Sequence, residues 1–143
     1  MLPSLSIEAT IDRYSDAWNR HDVDTILALH AEDSVFENHS SGGLAVGKEE
    51  IGKLIEGVFA TFPDLRFATR RAYFGDSVAV IEWTAHATHA TPIARGARTF
   101  PPTGKSLSWD GMDILPFRDG LITRKDVYAN SLSLLEQLGA SLP

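Results

Sequence analysis

The sequence predicts an α+β fold: a cone of curved, antiparallel or mixed β-sheet wrapped around N-terminal helices, with the concave side available as a cavity. Three features carry that prediction. Apolar residues recur at helical spacing before Pro63 and again near the C-terminus. Between these regions, from Leu65 to Tyr128, runs of alternating apolar and polar residues follow the two-residue period of strands. An Asp119-Gly120 pair, of the kind that makes tight hairpin turns, joins the last two runs.

From the N-terminus, Ser6 is placed to cap a first helix whose Ile7, Ile11, Tyr14 and Trp18 share one face; Asn19-Arg20-His21-Asp22 ends it. Asp24 can cap a short second helix running to Leu29. Val35 to Asn38 reads as a brief strand opening into the loop His39-Ser40-Ser41-Gly42-Gly43. A third helix starts near Lys48, turns Ile51, Ile55, Val58, Phe59 and Phe62 inward, and stops at Pro63, which cannot continue a helix. Leu65 to Phe74 and Ser77 to His89 are strands separated by Gly75-Asp76. In the second, Ala79, Ile81, Trp83, Ala85, Ala87 and His89 form the buried face, because the other carries Glu82, Thr84, His86 and Thr88. Pro92 to Pro102 reads as a loop that can lie over a pocket, with Ile93, Arg95, Arg98 and Phe100 spaced along it. Asn130 or Ser131 caps a last helix carrying Leu132, Leu134, Leu135 and Leu138 and closed by Gly139.

The hairpin of Lys105 to Arg118 and Leu121 to Tyr128 organises the rest. Its odd-numbered row is Leu107, Trp109, Gly111, Asp113, Leu115 and Phe117, and the even row is mixed and wetter. One carboxylate therefore sits in an apolar row, where burial disfavours a charge. Asp113 is the residue expected to carry chemistry; the plainer reading puts it at a solvated rim or against a neighbouring Arg or backbone group.

Composition narrows the function. A chain of 143 residues fits one domain with a real core. The net charge of −6, without a basic stripe, argues against nucleic acid or an anionic membrane as the partner. The absence of cysteine removes disulfides and thiolate chemistry and fits a reducing cytoplasm. Met1-Leu2-Pro3-Ser4 lacks signal-peptide character, and no apolar run approaches the roughly 20 residues of a membrane span. Five histidines with no i, i+4 pair give no metal-site spacing, and no glycine-rich phosphate loop or nucleophile elbow occurs. The expectation is a cytoplasmic protein with no metal and no cofactor.

Several short words carry a family resemblance: Asp22-Val23-Asp24, Phe36-Glu37-Asn38, Gly43 to Gly47, Phe62-Pro63-Asp64-Leu65, Thr88-His89, Pro102-Thr103-Gly104-Lys105, Met112-Asp113-Ile114, Asp119-Gly120-Leu121-Ile122 and Gln137-Leu138-Gly139. In these words and in its order of elements the chain resembles the nuclear transport factor 2-like superfamily, a cystatin-like α+β barrel. Within it the chain most resembles the SnoaL-like polyketide cyclases. That resemblance implies a homodimer, a small apolar or polycyclic ligand, and an acid/base Asp for aldol closure at the place of Asp113, with the His of the Thr-His word at His89. Ketosteroid isomerase, a relative, places its oxyanion-hole Tyr at Tyr14 and its protonated Asp at Asp113. Its general base falls on Asn38, an amide that cannot take a proton at neutral pH. Limonene epoxide hydrolase shares Pro102 to Ser106 and has its water-holding Asn at Asn38, but its Asp-Arg-Asp set falls on Ala85, Trp83 and Val127.

The candidate catalytic set is therefore Asp113 as acid/base, His89 as its partner, and Tyr14 and Asn38 as donors to carbonyl oxygens. Trp18, Phe36, His39, Trp83, Trp109 and Phe117 are expected to line the ligand site as flat walls or at its mouth. Each has a structural alternative: Tyr14, Trp18 and Trp83 as core packing, Asn38 as a turn residue, His89 as a strand end. Asn38 and Asn130, amides where relatives carry carboxylates, also keep open a binding protein without turnover. A hydrolase or dehydratase on the same cavity is the other enzymatic alternative.

Overall fold

The computed structural model describes residues 6–141; Met1 to Ser4, read above for leader character, lie outside them. Helix α1, Ile7–Asn19, begins where the Ser6 hydroxyl accepts from the Ala9 N–H, and it buries Ile11, Tyr14, Ala17 and Trp18. His21, at φ 55°, turns the chain. Asp22, not Asp24, then caps α2, Val23–Ala28, through the Thr25 N–H. Strand β1, His30–Asn38, begins five residues earlier than its alternation suggests, because Glu32 and Asp33 break the pattern on the exposed side. Strand β2, Gly43–Val46, stands just after the expected loop, in a stretch to which the sequence assigns no element; Leu44 and Val46 face solvent and only Ala45 is buried, so no apolar row announces it.

Helix α3, Lys48–Thr61, packs on β1 and β2 and ends before Pro63 as expected. Strands β3, Arg66–Phe74, and β4, Val78–Thr88, follow. The presumed loop at Pro92 to Pro102 contains a small hairpin of β5, Ile93–Arg95, and β6, Arg98–Phe100. Strands β7, Ser106–Arg118, and β8, Leu121–Ala129, form the long hairpin, turning at Asp119 (φ 53°) and Gly120 (φ 79°), the left-handed pair that suits a tight two-residue turn. Asn130 caps α4, Ser131–Gln137, and Gly139 (φ 90°) closes it.

The main sheet has six strands in the order β2-β1-β8-β7-β4-β3. Only the β1–β8 pair is parallel, which makes the sheet mixed. Helix α1 lies against β3 and β4, and α4 against β7. The odd rows of β4 and β7 face inward as predicted, with Ile81 opposite Asp113 and Trp83 opposite Gly111. Along β8 the row switches parity: Ile122 is buried, and so are Lys125 and Val127. The cause is a bulge, since β7 advances three residues from Ile114 to Phe117 while β8 covers the four from Asp126 to Ile122. No helix among the described residues is long and apolar enough to cross a membrane.

Gly111 is required by packing. A Cβ there would lie 2.3 Å from the Trp83 ring, so the indole lies flat over bare backbone. Gly111→Ala is expected to destabilise by about 1–3 kcal/mol, the usual penalty of overpacking, and to displace Trp83. Urea midpoints and the tryptophan emission maximum measure both effects.

Candidate active site

The cone encloses a cavity of about 300 Å³. Phe36 from β1, Trp83 from β4, Trp109 from β7, Trp18 from α1 and Phe62 after α3 supply its walls. All three tryptophans of the chain line it. The rings meet edge to face or tilted, Trp18 against Phe67 at 5.8 Å and Phe67 against Trp83 at 5.0 Å. Charged groups on this lining are few: Arg95, Asp113 and Lys125.

Asp113 is not alone in its apolar row. The Lys125 ammonium lies 3.4 Å from Asp113 Oδ2, and the two residues are only 5% and 7% exposed. The β8 bulge puts Lys125 there, one strand away from the carboxylate. Lys125 also lies over the Trp18 ring, 4.1 Å from its centroid, and donates to the Tyr14 hydroxyl at 3.4 Å. Burial opposes the ammonium, but Asp113 and then Tyr14 outweigh it and raise the Lys125 pKa above its ordinary value. Asp113 Oδ1 is buried and has no hydrogen-bond partner among the described residues. Asp113 is itself among the residues that line the cavity.

Behind the pair runs a polar chain. The Tyr14 hydroxyl meets His30 Nε2 at 2.9 Å, and His30 Nδ1 meets the Ser34 hydroxyl at 2.8 Å. Lysine can only donate, so Tyr14 accepts from Lys125 and passes its own hydrogen to Nε2; His30 Nδ1–H then donates to Ser34. Burial, helped by Lys125 and Lys48, pushes the His30 pKa down to about 3, so this imidazole is neutral at physiological pH. Burial also raises the Tyr14 pKa, against the pull of Lys125. The Trp18 indole N–H is near enough to the hydroxyl to favour its phenolate form, yet makes no hydrogen bond of ordinary geometry.

The other expected residues divide. Trp18, Phe36, Trp83 and Trp109 line the cavity, as does Asn38. The Asn38 side-chain oxygen is taken by the Ser40 and Ser41 N–H groups in a turn, which leaves its amide hydrogens unused by the turn. His89 is not beside Asp113: Asp113 pairs with Ile81, and His89 lies eight residues further along. There its ring holds the Thr103 hydroxyl at 3.0 Å and the Phe100 carbonyl at 3.3 Å. Phe117 is buried in the core away from the cavity lining. His39 faces the outside of the sheet, stacked on Tyr128 and 2.8 Å from Asp126.

Folding also brings Glu37, His39 and Asp126 within 4.8 Å of one another, a grouping with no trace in sequence spacing. Arg124 holds Asp126 through both carboxylate oxygens, at 3.0 and 2.9 Å, and binds Glu37 as well. Burial works against the Asp126 charge, but Arg124 and His39 outweigh it and keep the carboxyl below its ordinary value. The arrangement is an ion-pair network whose oxygens are already used.

Sequence reading missed Lys125, His30 and Ser34. The trace of the first was present: Ile122 and Val127 are both apolar at an odd spacing, and a regular strand cannot bury both on one face. A bulge between them was the solution. His30 and Ser34 left no comparable signal, because β1 is itself irregular between His30 and Val35.

Comparison with known proteins places this geometry. The sequence model of the SnoaL-like domain matches residues 11–125. The chain belongs to the SnoaL-like family. Among solved structures, AclR from Streptomyces galilaeus, a candidate hydroxylase, is 27% identical over 95% of this chain and 87% of its own, with a TM-score of 0.79. IdmH from Streptomyces antibioticus, a candidate polyketide cyclase, is 23% identical over 93% of this chain and 98% of its own, at TM-score 0.77. A Catenulispora acidiphila protein with a ketosteroid isomerase-like fold is 18% identical over 95% and 96%, also at 0.77. The curated proteins contain no match. Of the site, the SnoaL-like match spans Tyr14, Asp113 and Lys125 alike.

The neutral His30 makes stability depend on pH. Its folded pKa of about 3 lies below the unfolded value near 6.5, so between the two the unfolded chain binds a proton that the fold refuses, and stability falls as pH drops through this window. The slope is about 1.4 kcal/mol per pH unit, or about 2 kcal/mol between pH 6.5 and 5. His30→Gln should flatten this part of the curve, as measured by urea midpoints from pH 8 to 5.

Proposed function

We propose that the chain is a cofactor-independent small-molecule enzyme of the cyclase or isomerase type, with Asp113 as acid/base in an aromatic cavity. The observation that carries this reading is a carboxylate, Asp113, among the residues lining that cavity, with its buried Oδ1 left without a hydrogen-bond partner among the described residues. The family is one of small-molecule enzymes, and the candidate cyclase and hydroxylase among the solved structures support the same class.

In the proposed reaction the Asp113 carboxylate removes a proton from carbon next to a ligand carbonyl, and the electron pair moves onto the carbonyl oxygen. Lys125 supplies the facing positive charge, and the Asn38 amide a donor, for the enolate. In a cyclase the enolate carbon then attacks a second carbonyl of the same molecule. The new alkoxide recovers a proton from Asp113. Atoms and electrons balance with no oxidant or metal. Tyr14 acts through Lys125, fixing the ammonium against Asp113, and His30 and Ser34 fix Tyr14 in turn. His89 has a positioning role, holding the β5–β6 hairpin at the cavity.

The amides that favoured a binding protein without turnover have structural occupations, Asn38 in its turn and Asn130 as the cap of α4. Their identity therefore gives no sign of lost chemistry. We also propose a homodimer through the outer sheet, where Tyr73 and Phe74 on the edge strand β3 are 54% and 39% exposed. Sedimentation at micromolar concentration should give twice the chain mass; a monomer would reject it.

Proton abstraction can be tested without the natural substrate. In heavy water, 2-acetonaphthone should exchange its methyl protons faster with the protein than without, as read by proton NMR. Asp113→Asn should lower that catalysed rate by about 10²-fold or more, and Lys125→Met should lower it too. Exchange that ignores Asp113→Asn ends the acid/base assignment.

A further inference from the structure

We infer that Arg95 is an anion-recognition residue and that the ligand of this cavity carries a carboxylate, seated at the β5–β6 hairpin away from Asp113. The inference rests on the aromatic cavity being the ligand site. Three observations on the hairpin lead to it. First, Arg95 lines the cavity and, among the described residues, forms no salt bridge. Its one hydrogen bond is to the carbonyl of its own neighbour Ala94, at 2.8 Å. Lys125, the other cavity cation, is already paired with Asp113. Arg95 is thus the cation on this lining left without a counter-charge.

Second, the hairpin that carries Arg95 is anchored. Ile93 and Phe100, a cross-strand pair, are 0% and 4% exposed. The buried His89 ring engages the Phe100 carbonyl, and the Thr91 hydroxyl donates to the Thr61 carbonyl at 2.7 Å. A guanidinium fork carried on an anchored hairpin suits the planar, two-oxygen face of a carboxylate. Third, Arg95 is directly opposite Arg98 in the register, with no acid between them. Like charges so placed repel, and a bound anion relieves the repulsion. Arg98 is turned over the Phe100 ring, 4.5 Å from its centroid, which leaves Arg95 to the cavity. Partial burial lowers the Arg95 pKa from its ordinary value, and the guanidinium stays charged.

A single uncompensated cation, sharing its cavity with the Asp113 carboxylate, suits a monoanion better than a phosphate dianion. The ligand this describes is a flat, apolar carboxylic acid, with its carboxylate at Arg95 and its acidic carbon at Asp113.

Two probes separate this inference from the cavity reading: 2-naphthoate and its methyl ester, each titrated at neutral pH against the emission of the three cavity tryptophans. Wild type should bind the carboxylate about tenfold more tightly than the ester, and added salt should reduce the difference. Arg95→Gln should bring the carboxylate down to the ester's affinity, and ester binding by that variant shows that it is folded. Equal affinity for the two probes in wild type, or a preference that survives Arg95→Gln, overturns the carboxylate inference while the cavity stands. If neither probe binds to wild type, both readings fall.

Discussion

The inner face of the cone is arranged around one buried ion pair, Asp113 with Lys125. Taking Asp113 and Lys125 out of water carries a penalty that their attraction only partly repays, and an apolar pair of similar volume would hold a β-sandwich or cone as well or better. The chain nevertheless builds three features around the pair. A bulge brings the lysine inward, an aromatic face lies under the ammonium, and a neutral tyrosine, histidine and serine chain takes up the next hydrogen bonds. Buried charges kept at such expense gather where chemistry happens. Asp113 keeps one oxygen committed to Lys125 and one uncommitted, an arrangement that serves a reacting group better than a purely structural one.

The aromatic wall and the polar chain divide the task. Trp18 is common to both, stacking its ring under Lys125 while forming part of the cavity surface. Trp83 can lie flat only because Gly111 has no side chain, so the shape of the cavity is set by an absence of atoms on one strand and a surplus on the next. Lys125, Asn38, Trp83 and Asp113 are all among the lining residues, and the Trp83 indole N–H and Asp113 Oδ1 are buried without hydrogen-bond partners among the described residues.

Most of the fold was legible because most of it obeys simple periods. The odd rows of β4 and β7, the cap at Ser6, the stop at Pro63 and the Asp119-Gly120 turn all follow from residue type and spacing. Asp113 was legible for the same reason, as a charge out of keeping with its row. Lys125, His30 and Ser34 were not, because each lies on a strand whose register shifts, and alternation cannot be followed across a shift. His89 was expected at the cavity from the family resemblance and the alternation of its strand, and His39 at the cavity mouth; the fold gives His39 to an outer ion-pair network and His89 to a hairpin anchor. Short strands such as β2 and β5 stayed hidden because a single buried residue each makes no pattern.

The bulge in β8 also works as a frame marker. Upstream of it even positions look inward, and downstream odd ones do, so strands of this kind cannot be matched between relatives by counting columns alone. An alignment that loses the extra residue would put Arg124 or Asp126 in the place of Lys125, and with Asp126 there the apparent charge of the cavity acid's neighbour is reversed. Comparisons of chemistry across such chains need to be anchored on the far side of the shift, at Val127, which lies opposite Asp113 in the sheet.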